Sequence, residues 1–231
     1  MPQIELLHTD CMEFMATLPD KAFDLAIVDP PYGIDWLANV ERENKGKNWR
    51  KYEQKGWDAA IPNANYFTEL FRVSQAQIIW GGNYMVEHLR SSPCWVVWDK
   101  MQEFDGAMFE MAWTSFNTPA KAFRMSRVEA YTHQVKIHPT QKPVALYRWL
   151  LKNYAKPGQL ILDTHLGSGS IAIACDMEGF DLVGCEIDAD YIKAARHRLA
   201  VHLSAPRLFE ATPAGLPQQL SLGDDVLSDG T

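Results

Sequence analysis

The sequence predicts an α/β fold, a mostly parallel sheet with helices on both faces, wound in one domain of catalytic size. Three observations predict it. Short apolar runs bounded by turn residues alternate with stretches of helical period. Acidic or glycine-rich turns follow the apolar runs at Val28, Leu162 and Cys185, where open sheets of this class receive ligands. And 231 residues, 47% of them hydrophobic, are enough for one sizeable core.

In chain order, Ile4 to Leu7 reads as the first strand, and Asp10 caps a helix over Cys11 to Leu18. Asp24 to Val28 is a buried strand. Residues 33–61 then break the alternation: between Glu41 and Lys55 six basic residues outnumber three acids and interleave with Trp49 and Tyr52, which reads as a mobile loop. Pro62 precedes a helix over Asn65 to Ser74, and strands follow at Gln77 to Trp80, Trp95 to Trp98 and Phe109 to Trp113. The interval 115–137 also breaks the alternation and is short and mostly basic. Pro143 opens a helix to Tyr154; strand Leu160 to Leu162, helix Ser170 to Glu178, strand Asp181 to Cys185 and an Asp188-capped helix from Ala189 to His202 complete the pattern. Residues 1–203 thus read as one domain, and 204–231, rich in Pro, Gly, Ser and Asp, as a poorly ordered acidic tail.

Acids outnumber bases by 29 to 22, a net charge of −7, which on balance argues against a nucleic-acid partner. The distribution weakens that argument. The tail holds Arg207 against Glu210, Asp224, Asp225 and Asp229, while both irregular internal segments are basic. What survives is an expectation of modest, salt-sensitive affinity for DNA. Cys11, Cys94, Cys175 and Cys185 show no metal-ligand or C-x-x-C spacing, so reduced thiols in a cytoplasmic protein without a metal are expected. No apolar run approaches the ~18 residues of a membrane span, and no signal peptide is visible.

Two turns carry chemistry. In Asp29-Pro30-Pro31-Tyr32 the prolines fix φ and lack N–H groups, which holds carbonyl acceptors beside a carboxylate and an aromatic ring. A planar ligand with an exocyclic NH2 could lie on Tyr32 and donate one N–H to Asp29 and the other to the Pro30 carbonyl. By itself such a turn is ordinarily only a rigid loop. In QLILDTHLGSGSIAIAC an apolar strand ends at Asp163, and the turn Gly167-Ser168-Gly169-Ser170 opens a small-residue helix whose amides face any ligand. The next strand ends in Glu186, an acid placed to suit ribose hydroxyls. Alone, this element fits a nicotinamide dehydrogenase, a nucleotide-binding module or a tightly packed turn equally well.

Together with HPTQKP at His138 to Pro143, the two turns resemble the amino-methyltransferases that act on DNA bases, in the circularly permuted β-type order, over roughly residues 4 to 203. The resemblance implies a Rossmann-like sheet of seven strands, S-adenosylmethionine as cofactor, and methyl transfer to N6 of a flipped-out adenine in DNA. It implies Asp29, Pro30, Pro31 and Tyr32 as catalytic. Asp10 and Cys11 would contact the cofactor's adenine, and Asp163, Thr164, His165, Gly167, Ser168, Gly169 and Ser170 its amino-acid moiety. Glu186 and Ile187 would hold the ribose, and His138, Thr140, Gln141, Lys142 and Asp29 the methionine end.

Asp188 reads as a helix cap. Thr164-His165 departs from the family's Pro-Phe, and His165 reads first as a structural histidine. DNA contacts are expected from Lys45, Lys47, Arg50 and Lys51 in the first basic segment and Lys121, Arg124 and Arg127 in the second. The interval from Trp113 to His138 leaves no room for a recognition domain, implying a short target or help from a second copy in a homodimer. Cytosine N4 is the alternative acceptor; Asp rather than Ser at position 29 points to adenine. Pro93-Cys94 resembles the nucleophile of cytosine C5 enzymes, but the apolar run CWVVW suits a buried structural thiol. An oxidoreductase or a non-catalytic module leaves Asp29 to Tyr32 and HPTQKP unexplained.

Overall fold

The computed structural model describes residues 1–35, 58–101, 107–132, 137–138 and 140–205. Strands β1 (Ile4–His8), β2 (Phe23–Val28), β3 (Ser74–Trp80), β4 (Trp95–Asp99), β5 (Phe109–Thr114), β6 (Lys121–Arg124), β7 (Leu160–Asp163) and β8 (Asp181–Glu186) form one sheet. Their order is β1-β8-β7-β2-β3-β5-β4-β6. β5 runs antiparallel to its neighbours β3 and β4, and the other pairings are parallel. The α/β class is therefore as the sequence predicts, and each of the seven apolar runs is a strand.

Among the described residues the sheet has eight strands rather than seven. β6 has little apolar signature, and it forms along the outer edge of β4, with Val96 opposite Lys121 and Asp99 opposite Arg124. Pairing there covers backbone donors and acceptors that an edge strand otherwise leaves open. Helix α3 (Arg127–Tyr131) follows at once, with Ser126 Oγ accepting the Glu129 N–H at 3.1 Å. Ser126-x-x-Glu129 is a capping-box pattern, a helix signal inside the short basic segment that breaks the alternation.

Helices α1 (Cys11–Ala16) and α2 (Ala64–Val73) cover one face of the sheet, and α4 (Val144–Tyr154), α5 (Ser170–Glu178) and α6 (Ala189–Ser204) the other. β2 serves both: Leu25 and Ile27 join the core under α4 and α5, while Ala26 and Val28 meet Met15 and Leu70. In α2 the buried residues Tyr66, Phe67, Leu70 and Val73 recur at helical spacing, so one stripe faces the sheet. α5 is buried from Ser170 through Asp176, which its small side chains permit. Asp10, Asn63 and Asp188 cap α1, α2 and α6 through their side-chain oxygens, and the cap reading of Asp188 holds.

The chain leaves β2 toward β3 and leaves β7 toward β8, so the carboxyl ends of β2 and β7 diverge in the sheet. The crevice opened by that divergence is where open α/β sheets receive ligands. Asp29 follows β2 and Asp163 ends β7, so both lie at this point. Among the described residues no helix is long and apolar enough to cross a membrane, and no cluster of three His, Cys, Asp or Glu could hold a metal. Most of the expected mobile loop, including Lys45, Lys47, Arg50 and Lys51, and the tail from residue 206 lie outside the described residues.

Candidate active site

The Asp29-Pro30-Pro31-Tyr32 turn is fixed from several sides. Asp58 Oδ1 accepts the backbone N–H groups of Tyr32 at 2.7 Å and Gly33 at 3.0 Å. The Tyr32 hydroxyl donates to Asp29 Oδ1 at 2.7 Å. Its ring stacks on Tyr84 with centroids 5.3 Å apart and lies against the backbone of Gly81. A Cβ at Gly81 would come within 2.2 Å of that ring, and Gly81 has φ +68°, so only glycine fits here. Gly81→Ala is expected to displace the Tyr32 ring and destabilise the fold by about 1–3 kcal/mol. Urea unfolding measures this, and an unchanged midpoint would mean that the ring moves aside without strain.

Behind the turn, four charged side chains alternate in sign. Lys142, with a side chain 1% exposed, donates to Asp29 Oδ2 at 2.5 Å and to the Tyr32 hydroxyl at 3.0 Å, and lies 3.2 Å from Glu110 Oε2. Glu110 Oε1 in turn lies 2.8 Å from Lys100 Nζ. The Lys142 ammonium also packs over the rings of Trp80 and Tyr32, at 5.0 and 5.5 Å. Burial opposes charge on Lys142, but Asp29 and Glu110 hold its pKa above the ordinary lysine value. Burial also works against ionised Glu110, yet Lys142 and Lys100 bring it down to about 2. For Asp29 burial prevails over the attraction of Lys142, and its pKa is raised.

On the other side of Asp29, the glycine turn and Glu186 form a second group. Glu186 Oε2 accepts the Gly167 N–H at 2.8 Å and Oε1 accepts the Asp188 N–H at 2.9 Å. A carboxylate offers about four acceptor positions, so capacity remains for a diol. Gly167 and Gly169 take the positive φ values of +52° and +68° that this turn needs. Asp163 Oδ1 accepts the His165 N–H at 3.0 Å, and burial pushes the Asp163 pKa up to about 8. Ser168 and Ser170 hydroxyls meet at 3.1 Å, and Arg198 donates to Ser170 Oγ at 2.8 Å. Thr140 meets His138 Nδ1 through its hydroxyl at 3.1 Å.

The departure at Thr164-His165 has a structural account. Thr164 Oγ1 bonds to both the Tyr66 hydroxyl at 2.7 Å and His165 Nδ1 at 2.9 Å, and the His165 ring meets Tyr66 edge-on. Burial lowers the His165 pKa to about 4, so it is a neutral, hydrogen-bonded histidine, as the sequence suggests.

Two cavities meet at Asp29. One, of about 480 Å³, is lined by Asp29, Pro30, Tyr32, Tyr84, Lys100 and Glu110 among others. The second, of about 470 Å³, is lined by Asp29, Pro31, His138, Gly167, Ser168 and Glu186 among others. Thr140 and Gln141 also border both, whereas consecutive prolines face different cavities. The second cavity also takes in Lys142, His165, Ile187 and Asp188. With Lys142 matched by Asp29, Glu186 and Asp188 leave that lining net acidic, which suits a cationic ligand.

Several expected residues have other surroundings. Lys142, expected at the methionine end of a cofactor, borders the second cavity but directs its ammonium into the Asp29–Glu110 pair, because two half-buried carboxylates attract it more than an open cavity. Asp10 and Cys11 do not line the second cavity; Asp10 caps α1, receiving the Met12 N–H at 2.6 Å, although β1 and Glu186 adjoin through the Thr9 N–H. Lys121 donates to Asn153 and stands over Tyr154 on α4, and Arg124 pairs with Asp99 at the far edge strand. Arg127 lines the first cavity. Glu110, Lys100, Asp58, Gly81 and Tyr84 were not singled out by motif; the signal for Glu110 is an acid set inside the apolar run FEMAWT.

Comparison with known proteins bears on this arrangement. Residues 38–197 match the N6_N4_Mtase family, described as DNA methylase. The type II methyltransferase M2.DpnII of Streptococcus pneumoniae is 24% identical, covering 84% of this chain and 88% of its own. The solved M1.HpyAVI–SAM complex has a TM-score of 0.55 at 18% identity, covering 85% of this chain and all of its own. PvuII DNA methyltransferase, described as cytosine-N4-specific, has a TM-score of 0.58 at 11% identity, covering 86% of each chain. The solved structures bear on the fold, which is that of the S-adenosylmethionine-dependent methyltransferases. The family match runs through His138, the glycine turn and Glu186 and takes in well over half of the sequence, so the chain belongs to the N6/N4 family of DNA methylases.

Proposed function

We propose that this chain transfers a methyl group from S-adenosylmethionine to the exocyclic N6 of an adenine flipped out of DNA. The observation that carries the reading is the position of Asp29 in the wall common to two cavities of similar size. A reaction between two bound molecules needs two sites that adjoin, so that the reacting atoms meet beside a shared group.

On the cofactor side, Glu186 would receive the ribose hydroxyls, the amides of the glycine turn with Ser168 and Ser170 the amino-acid end, and His138, Thr140 and Gln141 the methionine chain. The acidic lining suits a sulfonium. When bound, S-adenosylmethionine supplies a methyl group already electrophilic through that positive sulfur.

On the acceptor side, an exocyclic amine is a poor nucleophile because its lone pair is delocalised into the ring. Asp29 and the Pro30 carbonyl accept the two amine hydrogens, so the nitrogen becomes pyramidal and its lone pair turns toward the methyl. Asp29 also offsets the positive charge that grows on nitrogen, and the proton finally leaves to water. Tyr32 and Tyr84 supply aromatic surface for the base. Extruding the base costs a few kcal/mol, which Arg127 at the cavity and the basic segment with Lys45, Lys47, Arg50 and Lys51 help to offset through phosphate contacts.

Asp at position 29 favours adenine; likeness to a cytosine-N4 enzyme supports N4 as the second reading. Incubation with DNA and methyl-labelled S-adenosylmethionine, followed by digestion to nucleosides, separates them. Label is expected in N6-methyldeoxyadenosine. Label in N4-methyldeoxycytidine selects the second reading, and unlabelled nucleosides refute both.

A further inference from the structure

Lys142 has three N–H donors, and its partners are Asp29 Oδ2, the Tyr32 hydroxyl and Glu110 Oε2. An ammonium matched by Asp29 alone would close a neutral pair around the carboxylate. Such a carboxylate is a weaker acceptor for an amine and offsets less of the charge that grows on nitrogen. Glu110 changes that balance: the Lys142 ammonium is shared between two carboxylates, so Asp29 is not closed into an exclusive pair with it. Lys100 holds Glu110 from beyond, at 2.8 Å. Glu110 itself lines the first cavity, so this balance is set beside the acceptor.

We propose that Glu110 is a positioning residue for the transfer step, sharing the Lys142 ammonium with Asp29 so that Asp29 keeps the strength to accept the amine hydrogen. The inference rests on the methyl-transfer reading above. Glu110 acts through Lys142. It draws part of the ammonium's charge from Asp29, and its like charge makes Asp29 more basic. Among the described residues, the other titratable groups that interact with Asp29 are Tyr32 of its own turn, Tyr66 of α2, Tyr147 of α4 and Asp163 of β7. The three tyrosines have pKa values raised well above the usual, so they stay neutral through the working range and leave the carboxylates and lysines to set the field.

The test is the single-turnover transfer rate at saturating S-adenosylmethionine and DNA, from about pH 5 to about pH 9, for the wild type, Glu110→Gln and Lys100→Met. Glu110→Gln is expected to lose about tenfold in rate at neutral pH, with cofactor affinity unchanged. The acid limb of its profile moves to lower pH, because Asp29 loses a like charge and gains an undivided ammonium. Lys100→Met is expected to move the limb the other way, since it removes a positive charge and leaves Glu110 wholly to Lys142. A tenfold loss with the limb unmoved would assign Glu110 a merely structural role and overturn the proposal, as would an unchanged rate. If Glu110→Gln fails to bind cofactor because it is misfolded, the direction of the Lys100→Met limb decides alone. No transfer by the wild type refutes the activity reading and the inference with it; transfer by the wild type with unmoved limbs refutes the inference only.

Discussion

Asp29→Ala is expected to lose about 10²-fold or more in single-turnover rate while still binding S-adenosylmethionine. The substitution removes the acceptor of one amine hydrogen and the charge that offsets the forming cation. The cavity on the cofactor side keeps Glu186, the glycine turn and His138, so affinity there changes little. Lys142 retains Glu110 as a counter-charge at 3.2 Å, so the ammonium is not stranded and the fold persists. Rapid-quench transfer assays alongside calorimetric cofactor titration separate the two effects. Near-normal turnover in this variant would remove Asp29 from the chemistry.

Lys142→Met is expected to damage both stability and rate. It leaves the Asp29 and Glu110 carboxylates, which share one buried ammonium in the native protein, without it. Breaking a buried pair from one side costs about 3–5 kcal/mol. Asp29, already raised by burial, then loses the main influence that lowers it and rises further. A carboxyl whose pKa is higher folded than unfolded binds its proton more tightly in the native state, so its stabilising effect is present at low pH and lost as pH rises through the folded value. The variant is therefore expected to become less stable from mildly acidic to mildly alkaline pH, measured by urea unfolding across that range. Its transfer rate, in contrast, should need higher pH than the wild type, because only ionised Asp29 accepts the amine. Stability that is flat with pH would show that the carboxylates separate once the ammonium is gone.

Much of this was legible in the sequence, for reasons that differ by element. β2 and β7 are buried on both faces and therefore read as continuous apolar runs, and their acidic ends stand out by contrast. Asp10 and Asp188 are caps, whose chemistry is local; the Asn63 cap, one residue after Pro62, was not read. β6 was missed because an edge strand of four residues needs only backbone pairing, and Lys-Ala-Phe-Arg carries no pattern to reveal it.

At the site, the two turns were legible as motifs, but the partners of Asp29 were not. Lys142 and Glu110 stand 113 and 81 positions from it, in different parts of the fold, and ion pairs of that kind come from sheet order rather than spacing. The same holds for Gly81 under the Tyr32 ring and for Asp58, which binds the turn from the end of a segment expected to be a loop.

The pairing of β1 with β8 has a consequence for how the molecule comes to be made. β1 lies at one edge of the sheet with β8 as its neighbour, Ile4 opposite Leu182 and His8 opposite Glu186. Ile4 and Leu182 stand 178 positions apart, so during synthesis β1 leaves the ribosome well before the partner that satisfies its backbone. Closing so long a loop carries an entropic cost that local contacts cannot repay early, and it slows the final step of assembly. A nascent chain stopped short of β8 would therefore present β1 unpaired, as a ready site for chaperone capture or self-association, until the ribosome supplies the remaining strand.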